Sequence, residues 1–257
     1  MQIQNLLTKA TDLLYHSIEA HYEVILQENP DFRAEAWTSR IDGVQAIIKY
    51  VEIEHPMAAL AHELLHLDTQ IKGFRPLVTA YSLSKGTQWY IPTLIKVLNA
   101  TLMHHKMADP FLAFGYPPAL FQQEEADFPL TYLQSELLQS DHHLIHLGVL
   151  YLTFLEPLNG ISAEDKSLLQ KSFMEYAGGI YANNFHKMAD VLDQWGKADT
   201  YEAEGYFKDL LLAMGVSETW FSYLPDLPSR LEEDFPKAGF FVGEGFTLEE
   251  LKSTYGI

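Results

Sequence analysis

The sequence feature that most constrains the fold is the pentapeptide His62-Glu63-Leu64-Leu65-His66, which lies inside an apolar run. Residues 57–67 contain no glycine or proline and are rich in residues that favour helices, so they predict a helix. Residues four apart lie on one helix face, so His62 and His66 can bind one metal ion from the same side. Glu63 is rotated by about 100° and can reach a water molecule on that ion. Two imidazoles with an adjacent carboxylate are what metal-assisted hydrolysis requires.

The surroundings of this pentapeptide indicate that the helix is buried, because it is apolar nearly all round. Polar side chains on a buried helix need partners, since an unpaired buried polar group is costly. A metal ion would satisfy both imidazoles at once. The alternative interpretation is that both histidines are hydrogen-bonded residues of a core or a cleft.

The stretch from Ala61 to Leu67 resembles the active-site helix of the zincin group of zinc metallopeptidases, which carries His-Glu-x-x-His between uncharged flanks. The resemblance implies Zn²⁺ as the cofactor, His62 and His66 as zinc ligands and Glu63 as the general base. It also implies a substrate that is a peptide or a small amide, cleaved by a zinc-activated water molecule.

The resemblance is confined to this helix and has departures. Asp68 stands where the group usually has an apolar residue, and Thr69 and Lys72 stand where the metzincins have glycine and a third histidine. No thermolysin-like Asn-Glu pair follows downstream. The subgroup is therefore not assigned, and the sequence is most similar to uncharacterised bacterial zincin-like proteins.

The sequence predicts an α+β fold that is predominantly α-helical and zincin-like, with a small sheet next to the active-site helix. Residues 1–257 are predicted to form a single domain whose C-terminal half, about 129–257, is helical. The stretch Gly43–Ile53 is β-branched and partly alternating, which predicts a strand just before the active-site helix. The resemblance implies that this strand borders the substrate cleft, where an extended peptide could pair with it.

The remaining pattern predicts helices and one long loop. Helices are predicted where apolar residues recur at helical spacing or where prolines and glycines mark the ends of a segment. These helices cover 3–28, 87–107, 129–156, 162–196, 200–213 and 247–254. Three prolines and three glycines predict that Leu224–Gly245 is a loop.

A catalytic zinc usually has three protein ligands and an open position. The chain has no cysteine, so the third ligand must be a histidine or a carboxylate. The apolar stripe of helix 87–107 includes Ile91, Leu98 and Leu102; His105 falls on that stripe and His104 falls off it. The stripe faces the core, so His105 is favoured over His104 as the third ligand, with a packed core histidine as the alternative.

A second cluster, Asp141-His142-His143 with His146, repeats the four-residue spacing between His142 and His146. These two histidines lie opposite the apolar face of their predicted helix, which favours solvent exposure over a metal site. Asp141 falls on the apolar face and is a candidate hydrogen-bond partner for a ligating histidine. A salt bridge is an equally good interpretation of Asp141, and a two-metal site using both histidine pairs stays open.

Other side chains are candidates that the spacing does not rank. Carboxylates that could supply the third ligand are Asp109, Glu124, Glu125, Glu136 and Glu156. Phenols that could stabilise an oxyanion are Tyr116, Tyr132 and Tyr151.

The formal net charge of −18 disfavours nucleic acid and anionic membranes as partners. No segment has the apolar length of a membrane span, and the first residues lack the pattern of a signal peptide, so a cytoplasmic location is expected. The leading hypothesis is a zinc-dependent peptidase or amidohydrolase. The alternatives are a non-catalytic protein on a zincin scaffold that acts through protein–protein interaction, and a helical metal protein that uses His142 and His146. The oligomeric state and the substrate are not predicted.

Overall fold

The structure is a computed structural model that describes residues 2–29, 37–121, 135, 143–176, 181–223, 239–244 and 246–255. Contacts between Cα atoms divide the chain into two compact units. Among the described residues, the first unit comprises 2–29, 37–74, 106–121 and 157–161. The second comprises 75–105, 135, 143–156, 162–176, 181–223, 239–244 and 246–255. The prediction of a single domain over 1–257 stays a prediction.

The first unit contains a three-stranded sheet, two complete helices and the last residues of a third helix. Its elements are α1 (Lys9–Glu19), β1 (Glu23–Glu28), β2 (Thr38–Asp42), β3 (Gln45–Tyr50) and α2 (Pro56–Ile71). Helix α1 begins with a reciprocal cap, in which the Thr8 hydroxyl accepts from the Thr11 amide and the Thr11 hydroxyl accepts from the Thr8 amide. This cap satisfies two of the backbone donors that a helix start leaves open.

Strand β3 is the central strand of this sheet. It pairs in parallel with β1 and antiparallel with β2, giving the order β1-β3-β2. The predicted strand within Gly43–Ile53 is therefore confirmed. The prediction that a peptide pairs with it is wrong, because both backbone edges of β3 are already occupied by neighbouring strands.

The predicted helix over residues 3–28 is correct only for its middle part. Helix α1 ends at Glu19, and β1 occupies residues that the prediction assigned to the helix. The six residues of β1 pair one for one with β3, from Glu23 with Gln45 to Glu28 with Tyr50. Pairing with a central strand outweighs the weak helical preference of this short segment.

The core of the first unit lies between α1, α2 and the sheet. Ile18 of α1, Ile48 of β3 and Leu60, Leu64 and Leu67 of α2 are completely buried in it. The indole N–H of Trp37 donates to the Val51 carbonyl at 2.9 Å, which joins the chain entering β2 to the chain leaving β3. The apolar run around the pentapeptide thus forms the inner helix of this unit, as predicted.

The second unit combines helices with an antiparallel sheet. Its strands are β4 (Leu77–Ser82), β5 (Thr219–Tyr223) and β6 (Gly239–Val242), in the order β4-β5-β6. Its helices are α3 (Lys85–Gln88), part of α4 (Ile91–Ala113), α5 (Leu144–Leu155), α6 (Ala163–Tyr176), α7 (Ala182–Lys197), α8 (Glu204–Ala213) and α9 (Leu248–Tyr255). Helix α4 contributes residues 91–105 to this unit and residues 106–113 to the first unit.

These helices match most of the predicted ones. Ser162 caps α6 as predicted, since its hydroxyl accepts from the Asp165 amide and donates to the Asp165 carboxylate. The helix predicted over 162–196 is two helices, α6 and α7, and residues 177–180 lie outside the described residues. The helix predicted over 129–156 is seen as α5; of 129–143, only residues 135 and 143 are described.

Part of the predicted loop Leu224–Gly245 is a strand. Strand β6 pairs residue by residue with β5, from Thr219 with Val242 to Ser222 with Gly239. Residues 224–238 and 245 of the predicted loop lie outside the described residues. Overall, the described residues form an α+β fold with small sheets, as predicted. Among them, no helix combines the length and apolar character that a bilayer span requires.

Trp195 joins α7 to α4 and is expected to be important for stability. Its side chain is 0% exposed, and its indole N–H donates to the Leu102 carbonyl at 2.7 Å. We expect Trp195→Phe to lower the free energy of unfolding by about 2 kcal/mol, because it removes this hydrogen bond and leaves a small void. Urea denaturation monitored by circular dichroism measures the change.

Trp89 provides the matched control for this substitution, because its side chain is 86% exposed. We expect Trp89→Phe to change the free energy of unfolding by less than about 0.5 kcal/mol. Equal effects of the two substitutions would contradict the assigned role of Trp195.

Candidate metal centre

Helix α2 presents the pentapeptide in a rigid setting. Pro56 opens the helix, and Gly73, at a φ of +111°, follows its end in a conformation that favours glycine. The Ser39 hydroxyl of β2 donates to the backbone carbonyl of Glu63 at 3.2 Å. Strand β2 is thereby attached to the helix at the pentapeptide itself.

His62 and His66 face each other across one turn of α2. Their Nε2 atoms lie 2.9 Å apart, and their ring planes are inclined at 64°. Both rings are half-buried. This arrangement points the two Nε2 atoms at a common position, as the four-residue spacing predicts.

Aromatic rings surround the His62 imidazole. The Phe121 ring lies 4.8 Å away edge-to-face, and the Phe111 ring of α4 lies 6.4 Å away. Phe111 also contacts Phe121 at 5.1 Å and Tyr116 at 5.3 Å between ring centroids. The rings restrict the rotation of His62 and exclude water from one side of it.

The contact with Phe111 identifies the face of α4 that is turned toward His62. His104 precedes Phe111 by seven residues, which is about two helical turns, so the two side chains share a face of α4. Ligand nitrogens of His62, His66 and His104 all lie within 4.8 Å of one another. We call these three residues the histidine triad.

His104 is fixed by Glu156, the residue that follows α5. The Glu156 carboxylate accepts from His104 Nδ1 at 3.3 Å and from the Thr101 hydroxyl at 3.2 Å. All three residues are buried: the exposed fraction is 3% for Glu156, 7% for His104 and 0% for Thr101. Because a carboxylate only accepts hydrogen bonds, this contact favours the tautomer of a neutral His104 that has its proton on Nδ1 and a lone pair on Nε2.

His105, the favoured third ligand in the sequence interpretation, does not belong to the histidine triad. Its Nδ1–H donates to the Thr101 carbonyl at 2.8 Å, one turn back on α4, and its ring faces Gly196 of α7. Burial lowers the pKa of His105 below its ordinary value. The geometry favours His104 over His105 as the third ligand, and a metal-binding measurement is the test of that choice.

Glu63 lies between the two histidines in sequence and is buried at 5% exposure. Its backbone carbonyl is the group that Ser39 contacts. The position of Glu63 next to His62 in the sequence is the reason for considering its carboxylate as the base of this centre.

The second histidine cluster is only partly described. Asp141 and His142 lie outside the described residues, so the predicted metal pair of His142 and His146 and the predicted role of Asp141 stay predictions. His143 and His146 both stack on the Tyr90 ring, at 5.3 and 6.1 Å between centroids. His146 is therefore packed against an aromatic ring instead of fully exposed.

The remaining candidates are the carboxylates and phenols that the sequence did not rank. Asp109 is exposed on α4, and Glu124, Glu125, Glu136 and Tyr132 lie outside the described residues. Tyr116 belongs to the aromatic group around His62, and burial raises its pKa. Tyr151 is completely buried in the second unit among the rings of Phe154, Phe173 and Phe185.

Sequence reasoning named Glu156 as a candidate ligand and missed its role as a partner of His104. The signal was its position: it is the only charged residue at the end of the apolar run Leu144–Leu155, and Pro157 follows it. Burial of such an apolar helix also buries the carboxylate at its end. A buried carboxylate requires hydrogen-bond donors.

The histidine triad could hold a metal ion such as zinc. Tetrahedral Zn–N bonds of 2.0–2.1 Å separate the ligand nitrogens by about 3.4 Å, whereas the three ligand nitrogens here lie within 4.8 Å of one another and the Nε2 atoms of His62 and His66 are in hydrogen-bonding contact at 2.9 Å. Imidazole nitrogens are common zinc ligands, and the carboxylate partner on His104 is typical of zinc sites. Three such residues can therefore hold the ion.

Comparisons with protein families, with curated proteins and with solved structures found no match. The resemblance to the zincin group therefore depends on the pentapeptide alone.

Proposed function

We propose that this protein is a zinc-dependent hydrolase of the zincin type that cleaves a peptide or a small amide. The observation that carries the proposal is the histidine triad on α2 and α4, with Glu63 buried on the turn between two of its members. As part of the same proposal, the protein has a zincin-like arrangement of α2 and sheet β1-β3-β2 and acts in the cytoplasm.

Each residue of the centre has a distinct role in this proposal. His62, His66 and His104 hold the zinc ion through imidazole nitrogens, and the aromatic rings of Phe111 and Phe121 hold His62 in place. When bound, zinc lowers the pKa of a coordinated water molecule toward about 7 and polarises a substrate carbonyl.

Glu63 moves the proton. A carboxylate oxygen of Glu63 accepts the proton that the attacking water loses, and the same oxygen delivers it to the nitrogen of the leaving amine. Burial of Glu63 and the Ser39 contact to its backbone restrict the motion of this side chain. Restricted motion favours proton transfer, because the base stays at one distance from its substrate.

An open coordination position would distinguish a catalytic zinc site from a structural one. Within the part of the chain that the structure describes, the group that could hold a metal has three members. Structural zinc sites usually have four protein ligands, whereas catalytic sites have three and leave one position for water.

Metal content is the first measurement. We expect about one zinc per chain in protein purified without chelator or histidine tag, measured by inductively coupled plasma mass spectrometry. Absence of bound zinc, even after zinc addition and dialysis, would refute the proposal.

Activity is the second measurement. We expect the zinc-loaded protein to cleave members of a mixed peptide library and a chelator to abolish cleavage. Stoichiometric zinc without cleavage of any peptide or small amide would favour the non-catalytic alternative, in which zinc has a structural role.

A further inference from the structure

We infer that Glu156 is a positioning residue that orients His104 for metal binding, an inference that rests on the metal-binding part of the proposed function. Both oxygens of the Glu156 carboxylate are engaged on one turn of α4. One accepts from His104 Nδ1 at 3.3 Å, and the other accepts from the Thr101 hydroxyl at 3.2 Å. Thr101 and His104 are three residues apart, so they present their donors on the same side of the helix.

The burial of this contact distinguishes it from an ordinary surface pair. Surface pairs such as Lys197 with Asp193 are well exposed, whereas Glu156 is 3% exposed. Removing a carboxylate from water is costly, so a buried one needs strong donors. The donors that the Glu156 carboxylate contacts include His104 Nδ1 and the Thr101 hydroxyl.

The consequence for His104 is a fixed tautomer and a fixed ring orientation. A carboxylate at Nδ1 keeps the proton on that atom, so Nε2 is the nitrogen available to a metal. A negative partner also makes the imidazole a better electron donor. The neighbouring His105 donates from Nδ1 to a backbone carbonyl instead of to a carboxylate.

The backbone of Glu156 is itself fixed by the residue that follows it. A proline disfavours the helical region for the preceding residue. Glu156 precedes Pro157 and has φ −54° and ψ 137°, outside the helical region. Helix α5 therefore stops at Leu155, and the carboxylate leaves the helix end at a defined position.

Zinc affinity of the purified protein tests the inference. We expect Glu156→Gln, which keeps the shape and removes the charge, to raise the zinc dissociation constant by about 10–100-fold. Competition with a chromophoric chelator measures the constant. An unchanged constant in Glu156→Gln would overturn the inference while leaving the metal site in place.

Two substitutions at Thr101 keep the test decisive if Glu156→Gln fails to fold. We expect Thr101→Val to weaken zinc binding by less than Glu156→Gln, because it removes the hydroxyl that orients the carboxylate. Thr101→Ser restores a hydroxyl and is expected to restore wild-type affinity. Equal zinc affinities for Thr101→Val and Thr101→Ser would contradict the orienting role.

A structural carboxylate elsewhere provides the control. Glu204 accepts from Lys208 at 2.6 Å and from the Tyr223 hydroxyl at 3.0 Å, and these contacts lower its pKa. We expect Glu204→Gln to lower the unfolding temperature of the metal-free protein without changing zinc affinity. A wild-type chain that binds zinc but hydrolyses nothing would refute the proposed function and leave this inference standing, because its readout is affinity.

Discussion

Replacing Glu63 with glutamine is expected to lower kcat/KM for peptide hydrolysis by about 10²–10⁴-fold while zinc content stays at the wild-type level. The amide has nearly the same shape and cannot accept the proton of the attacking water. The zinc ligands are untouched, since the histidine triad does not include Glu63. Steady-state kinetics on a peptide identified in the library screen measures the effect, and mass spectrometry measures the metal.

The exposed carboxylate of Glu54 provides the matched control. Its side chain is 89% exposed just before α2, so Glu54→Gln is expected to leave kcat/KM unchanged. A Glu63→Gln variant as active as the wild type would rule out the proton-transfer role of Glu63 and with it the proposed mechanism.

Replacing His62 with alanine is expected to abolish both zinc binding and hydrolysis. The substitution removes one of three ligand nitrogens, so the loss of zinc affinity should exceed the 10–100-fold that a lost hydrogen-bonding partner causes. Zinc should raise the unfolding temperature of the wild type and not that of the variant, because only a bound ligand stabilises the folded state. Differential scanning fluorimetry with and without zinc measures this difference.

Two further histidine substitutions serve as controls for His62→Ala. His16 is exposed on α1 beside Asp12 and Glu19, and His16→Ala is expected to keep wild-type zinc binding. His146→Ala is also expected to keep zinc. If His146→Ala lost the metal and His62→Ala retained it, the alternative site on the second histidine cluster would be correct.

The sequence was sufficient to predict the helix that carries the pentapeptide and its burial. The apolar run from Met57 to Leu67 places α2 in the core, and the four-residue spacing brings the Nε2 atoms of His62 and His66 to 2.9 Å. The strand before α2 and the cap at Ser162 were also predictable, because both depend on residues close together in the chain.

The periodicity of apolar residues in α4 could not decide whether His104 or His105 is the better candidate for the third ligand. The stripe of Leu98 and Leu102 suggested that one face of α4 is buried, but Thr101, Met103, His104 and Met107 are buried as well. On a helix buried on several sides, an apolar stripe no longer tells which face meets which neighbour. His104 contacts Glu156, which is 52 residues away in the chain, so this contact has no local signature.

The second sheet was missed for a related reason. Strands β4 and β5 were not predicted, and β5 is entirely buried, so it lacks the alternation that marks a half-buried strand. Asn99 of α4 bonds the backbone of Leu77 through both its amide oxygen and its amide nitrogen. Such contacts between distant parts of the chain are invisible to a search for short patterns.

The long connection between β4 and β5 has a consequence for protein synthesis. The hydroxyls of Ser82 and Thr219 hydrogen-bond at 2.8 Å although 137 residues separate them. At 5–20 residues per second, a ribosome needs roughly 7–27 s to add that stretch. The strands β1, β2 and β3 are complete once Tyr50 has been synthesised. Strand β4, in contrast, has no β5 to pair with during this interval. Until β5 is made, the edge of β4 that pairs with β5 has no partner strand, and an unpaired strand edge is a surface on which nascent chains can aggregate.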